Sequence, residues 1–230
     1  MLIGGLQRFS LIDYPGKICA IVFTQGCNLR CPYCHNPELV ETKPSGLQAV
    51  TQDEVVSFLE ARRGKLDAVT ITGGEPLLQS DIGAFLSSVK SLGYLVKLDT
   101  NGSFPSRLET ILRANVADYI AMDIKAPLDK YEQVVRRSID TGRILSSIKL
   151  IMDCGLAYEF RTTVVKALLG KDDFVKIAEL IKGSRLYVLQ RFVASKLLDD
   201  RFLDADTFSE DELNSIRCLM EGYVEQCIVR

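Results

Sequence analysis

Between residues 18 and 193 the chain alternates about six times between a short Val/Ile-rich run and a stretch with apolar residues on one helical face. The strand-like runs are "ICAIVFTQG" (18–26), "AVTITGG" (68–74), "YLVKLDTNG" (94–102), "YIAMDIKAP" (119–127), "AYEFRTTVV" (157–165) and "RLYVLQRFV" (185–193). A Thr51–Glu54 capping box opens "TQDEVVSFLEARRG", which carries Val55, Phe58 and Leu59 on one face. Gly93 is placed to stop "SDIGAFLSSVKSLG", and Pro105 to start "PSRLETILRAN". A helical stretch over residues 128–155, in two pieces split near Gly142, precedes the fifth run. "DDFVKIAELIKG" and a last helix opened by a Ser209–Glu212 capping box follow, then a short "CIVR". Continuous Val/Ile runs are buried on both faces. Interleaved with amphipathic helices, they predict a parallel sheet covered by helices, open or curled toward a barrel.

Parallel βα folds hold their ligands at the C-terminal ends of the strands. The chemically unusual residues lie there. Cys27, Cys31 and Cys34 follow the first strand, and "GGEP" (73–76) follows the second. "DTNG" (99–102) ends the third strand and "MDIKAP" (122–127) the fourth. Four strand ends with polar or Gly-rich signatures predict one shared site.

A length of 230 residues fits a single domain, 1–230, and a 47% hydrophobic composition fits a packed core. The formal net charge of -2 comes from interspersed signs, which gives neither nucleic acid nor a membrane surface anything to hold. No run of about 18 apolar residues exists, and "MLIGGLQRFSLIDYPG" lacks the build of a signal peptide. A cytoplasmic location is expected. Seven cysteines, three of them clustered, make a poor disulfide framework and suit a metal centre in a reducing compartment. Cys19, Cys154, Cys218 and Cys227 stand in apolar surroundings, as small buried hydrophobes do.

Three thiolates do not close a four-coordinate zinc site, and His35 directly follows Cys34, an awkward geometry for a shared ion. A [4Fe–4S] cluster takes one Cys per iron, so three cysteines leave one iron open as a reaction site. Gly73 and Gly74, without Cβ atoms, let backbone approach a ligand closely, and Glu75 offers an acceptor for an ammonium. Lys125 is a counter-charge for a carboxylate, and Arg161 for a carboxylate or a ribose.

CxxxCxxC with Tyr33 before its last Cys, followed by "GGEP" after the next strand, resembles the radical S-adenosylmethionine enzymes. The resemblance implies an α/β fold, a partial (βα)6 TIM-like barrel of parallel strands with outer helices. It implies a [4Fe–4S] cluster on Cys27, Cys31 and Cys34 whose open iron is chelated by S-adenosylmethionine. Gly73, Gly74 and Glu75 would bind the amino end of that molecule and Tyr33 its adenine side. "DTNG" and "MDIK" resemble segments of the enzymes that activate glycyl radical proteins. There Asp99, Thr100 and Asp123 would lie near S-adenosylmethionine, in some members around a monovalent cation, and Lys125 would meet its carboxylate. The stretch "SLIDYPGKICAIVFTQGCNLRCPYCHNPELV", with "VLQRF" (188–192), is similar to the anaerobic ribonucleoside-triphosphate reductase activating proteins. Those take a hydrogen atom from a glycine of their partner, with electrons from flavodoxin or ferredoxin. Asp13-Tyr14-Pro15-Gly16-Lys17 stands where that group has Asp-Gly-Pro-Gly and an Arg, a turn near the partner's glycine loop, which makes Asp13 a substrate-side residue. His35 then has the work of hydrogen-bonding a cluster sulfur or the loop backbone. Two other readings stand beside this one: a radical enzyme for a small molecule, as in the 7-carboxy-7-deazaguanine synthases, and a non-catalytic zinc- or cluster-bearing module.

Overall fold

A computed structural model describes residues 1–42 and 50–230, which gather into two compact units. One comprises Met1–Asn28, Glu38–Thr100 and Phe104–Ile120; the other comprises Leu29–Pro37, Asn101–Ser103 and Ala121–Arg230.

In the first unit, β1 (Ile3–Ser10), β2 (Cys19–Thr24), β3 (Ala68–Gly73) and β4 (Leu95–Thr100) neighbour one another in that order. β2, β3 and β4 are parallel, in the register Ile21–Thr70–Lys97, and the N-H of Asp118, just before β5 (Tyr119–Asp123), bonds Val96 at 2.8 Å. Ala20, Val22, Val69, Ile71, Val96 and Leu98 share the fully buried face. Also buried are Val55 and Leu59 of α1 (Gln52–Ala61) and Phe85, Leu86 and Val89 of α2 (Ile82–Ser91), which packs on β4. Each such side chain contributes about 1.5–3 kcal/mol by leaving water. α3 (Pro105–Arg113) starts at its proline as expected. One strand departs from the predicted parallel set: β1 pairs antiparallel with β2. It is half-exposed and broken by register shifts, so its sequence shows neither a continuous apolar run nor a clean alternation.

In the second unit, β6 (Ala157–Val164), β7 (Tyr187–Arg191) and β8 (Cys227–Val229) are parallel neighbours, and Ile124 beyond β5 donates its N-H to Arg161 at 2.8 Å. α4 (Tyr131–Val135), α5 (Thr141–Asp153), α6 (Lys171–Leu180) and α7 (Glu210–Met220) complete it. The helical stretch breaks near Gly142, as expected, over residues 136–140. Arg136 ends α4 in the left-handed region at φ 51°, and the Asp140 carboxylate caps α5 by accepting from Gly142 N-H at 2.9 Å. Aspartate at that position satisfies an otherwise orphan donor, so the cap, not the glycine, sets the boundary. The Thr51–Glu54 and Ser209–Glu212 boxes both form. Among the described residues no helix is long and apolar enough to cross a membrane.

Candidate functional site

In the first unit the site begins where β2 and β3 end. Gly26 and Cys27 donate their N-H groups to Leu39 at 2.7 Å and Val40 at 2.9 Å. From the other side, Gly74 N-H reaches Thr24 O at 2.9 Å and Glu75 N-H reaches Gly26 O at 2.8 Å. Only glycine permits this. A Cβ on Gly73, at φ 114°, would stand 2.4 Å from Thr24 N, and one on Gly74 would stand 2.1 Å from Gly26 O. The first demand on the two glycines is thus chain against chain, a packing requirement that the sequence reading, aimed at a ligand, did not contain.

Glu75 is 0% exposed. Its Oε1 accepts from Leu77 N-H at 3.0 Å, capping the short 3-10 turn Pro76–Leu78, and from the Thr100 hydroxyl at 2.7 Å. Asp99 is buried and paired with Lys97, whose ammonium lies 2.5 Å from Oδ1 and 5.9 Å from the centre of the Tyr119 ring. Lys97 escaped the sequence reading, although a lysine inside a Val/Leu strand was a visible signal. Asp13 accepts from the Ser10 hydroxyl, and its own carbonyl accepts from Thr70 Oγ1 at 3.4 Å. The neighbouring Tyr14 turns inward onto Tyr119, ring centres 5.7 Å apart. Burial, with the Asp118 charge adding, pushes its hydroxyl up to about 12.

The second unit holds the rest of the cysteine loop. Arg30 N-H bonds Val135 O at 2.9 Å, Cys34 N-H bonds Cys31 O at 3.1 Å, and Asp199 N-H bonds Pro32 O at 3.0 Å. Arg136 pairs with Asp199 at 2.6 Å. His35 Nε2 lies 3.0 Å from Val193 O, and because a carbonyl only accepts, Nε2 is the protonated nitrogen. Through this nitrogen His35 ties the loop to the segment after β7, a partner the sequence did not point to.

Asp123 Oδ1 accepts from Arg161 Nε at 2.8 Å and Oδ2 from Lys125 Nζ at 2.9 Å. Arg161 is also 3.8 Å from the fully buried Glu159, which Arg230 grips at 3.2 and 3.3 Å. Cations and anions therefore alternate along Arg230, Glu159, Arg161, Asp123 and Lys125, three against two. Burial works to raise Asp123, but the Arg161 and Lys125 charges outweigh it and hold the carboxyl well below the usual range. Burial opposes the charge on Lys125, yet Asp123, Tyr33 and Cys31 together keep its pKa well above the usual lysine value. Burial pushes the Cys31 thiol up to about 11 against the pull of Lys125. The Tyr33 hydroxyl, also raised mainly by burial, is enclosed without a hydrogen-bond partner among the described residues. Cys31, Tyr33, Asp123, Lys125 and Arg161 are thus brought together within this unit, while Cys27, Gly73, Gly74, Glu75, Asp99 and Thr100 belong to the other.

These residues fit a thiolate-bound cluster and a polar cofactor. None of the seven cysteines is tied up in a disulfide, and Lys125 beside Cys31 favours the thiolate that a metal would bind. The local charge excess is positive, and the Tyr33 hydroxyl is a buried polar atom still short of a partner. Among the described residues no three His, Cys, Asp or Glu groups gather around a single ion, whereas cluster thiolates each take a different iron.

Residues 21–181 match the radical SAM superfamily. A protein of Methanocaldococcus jannaschii, provisionally named a glycyl-radical enzyme activating enzyme, is 33% identical over 100% of this chain and 95% of its own length. The pyruvate formate-lyase-activating enzyme of Streptococcus mutans is 33% identical over 83% of this chain and 75% of its own. SuiB of Streptococcus suis, solved with S-adenosylmethionine, shares the fold at a TM-score of 0.66 and 13% identity, over 90% of this chain and 48% of that one. The α/β class with a partial barrel, expected from the motifs, is the fold of these relatives. The chain belongs to the radical S-adenosylmethionine superfamily, among the glycyl-radical enzyme activating enzymes, which work through a [4Fe–4S] cluster and S-adenosylmethionine.

Proposed function

We propose that the chain installs a glycyl radical in an anaerobic ribonucleoside-triphosphate reductase, drawing electrons from flavodoxin or ferredoxin. The observation that carries the chemistry is the largely buried Lys125, held by Asp123 and in electrostatic contact with Cys31 and Tyr33, whose hydroxyl has no hydrogen-bond partner among the described residues. An ammonium has three donors and Asp123 takes one, so Lys125 can meet a ligand carboxylate without leaving its partner. Its raised pKa keeps it charged throughout the neutral range. Cys27, Cys31 and Cys34 would hold the cluster. Glu75, with the backbone of Gly73 and Gly74, would take the amino group of S-adenosylmethionine, and Tyr33 its adenine side. Asp99, Thr100 and Asp123 would lie along the molecule, with Arg161 at its carboxylate or ribose. When bound, the reduced cluster and S-adenosylmethionine supply the adenosyl radical that takes a hydrogen atom from a glycine of the partner. The protein's part is to orient and to exclude water, and no side chain has to act as acid or base.

The choice of partner is supported by the sequence from Ser10 to Val40, with Asp13 on the substrate side. The test is to incubate the reduced, reconstituted protein with S-adenosylmethionine and a candidate reductase. Electron paramagnetic resonance should show a glycyl radical, and Cys31→Ala should abolish both the cluster and the radical. A radical on pyruvate formate-lyase but none on the reductase would overturn the partner. Failure to cleave S-adenosylmethionine at all would overturn the chemistry.

A further inference from the structure

The resemblance to the enzymes that activate glycyl radical proteins implies, in some members, a monovalent cation near the residues at Asp99, Thr100 and Asp123, and within its own unit each of the two carboxylates already carries a fixed cation. In the first unit Lys97 is two residues before Asp99, so both side chains leave the same face of β4. Lys97 is 2% exposed, and its ammonium lies 2.5 Å from Asp99 Oδ1. In the second unit Asp123 uses one oxygen for Arg161 and the other for Lys125. A hard cation is drawn to a carboxylate by its negative charge, and an ammonium on the same carboxylate both offsets that charge and repels the ion.

Burying a lysine in a parallel strand is costly unless its charge is used. The neighbouring β4 positions Val96 and Leu98 are apolar and fully buried, as such strands require. Lys97 breaks that local rule and delivers a positive charge to one carboxylate, which is how a functional residue, and not a core residue, behaves.

We infer that the Lys97 ammonium is the built-in cation of Asp99, and that the enzyme works without a monovalent metal ion there. Lys97 is a positioning residue: it neutralises Asp99 and fixes that carboxylate, and so acts on the cofactor through it. The inference rests on the reading that Asp99 belongs to the S-adenosylmethionine site.

The experiment takes the reconstituted protein in choline salts and titrates it with thallium(I) nitrate under 205Tl nuclear magnetic resonance, without S-adenosylmethionine. The wild-type protein should show no saturable thallium binding. Its S-adenosylmethionine affinity should be the same in choline and in potassium within about twofold. Lys97→Met should bind thallium saturably and bind S-adenosylmethionine about tenfold more weakly in choline than in potassium. Lys97→Arg, which restores the charge, should be indifferent to the cation again. Saturable thallium binding by the wild-type protein overturns the inference without any variant having to fold. A folded Lys97→Met that ignores potassium overturns it too. Failure to bind S-adenosylmethionine in either salt would count against the proposed function instead, because the thallium titration does not depend on that cofactor.

Discussion

One carboxylate oxygen of Glu75 serves both Leu77 N-H and the Thr100 hydroxyl, so the side chain proposed to hold an ammonium also holds its own strand end. The two duties separate in two variants. Glu75→Gln keeps an acceptor oxygen, and its stability should stay within about 1 kcal/mol of wild type while S-adenosylmethionine affinity falls about tenfold or more. Glu75→Ala strands both donors and should cost about 1–3 kcal/mol in thermal or urea unfolding. Wild-type affinity in Glu75→Gln would reduce the residue to a cap. Tyr33 gives the converse case. Its enclosed hydroxyl has no partner among the described residues, so Tyr33→Phe should cost no stability and gain up to about 2 kcal/mol. The same change should weaken S-adenosylmethionine binding, as read by the perturbation of the reduced-cluster spectrum. A Tyr33→Phe protein that is less stable than wild type would mean that the hydroxyl is satisfied after all.

At the scale of elements, the exits of β2 and β3 are welded by backbone, and the weld is where the first cysteine enters. In Gly74→Ala the new methyl would meet the Gly26 carbonyl, which cannot swing aside, so the strand ends must part. The cost should be about 3 kcal/mol or more, with reduced iron content after reconstitution because Cys27 follows Gly26 directly. Gly83→Ala is the control: inside α2 its Cβ finds only Ile111 Cδ1 at 3.4 Å, and stability should hold or rise by up to about 1 kcal/mol. Equal unfolding midpoints for the two variants would mean that the weld is not needed. The sequence announced these strands because burial on both faces writes itself as Val/Ile runs, and it announced α1 and α7 because a capping box is local chemistry. β1 was illegible, since a half-exposed antiparallel edge needs no such run. The break after α4 lies near Gly142 as expected, over residues 136–140, because Asp140 opens the next helix as its cap. Lys97 passed unnoticed because its partner, Asp99, was read only for its ligand.

The whole chain is close to neutral, with a formal net charge of -2, so bulk repulsion contributes little to its response to acid. That response should instead be set by individual carboxylates that the fold holds ionised, and Asp123, between its two cationic partners, is one of them. A carboxyl depressed in the folded state adds stability in full above its unfolded pKa, about 3.9. It loses that stability as pH falls toward the lower folded value. Wild-type stability attributable to Asp123 should therefore be intact at neutral pH and shrink from about pH 5 downward. Asp123→Asn removes this dependence but leaves Arg161 and Lys125 without their carboxylate. With the Asp123 side chain 24% exposed, water screens part of the loss, and the variant should be about 2 kcal/mol less stable at neutral pH. The difference between the two proteins should then narrow as urea midpoints are measured at successively lower pH. Other paired carboxylates, such as Asp199 with Arg201 and Glu212 with Lys166, titrate in both proteins and cancel in the difference. Parallel curves down to about pH 3 would show that Asp123 is not held ionised by its neighbours, and would remove the anchor assigned to Lys125.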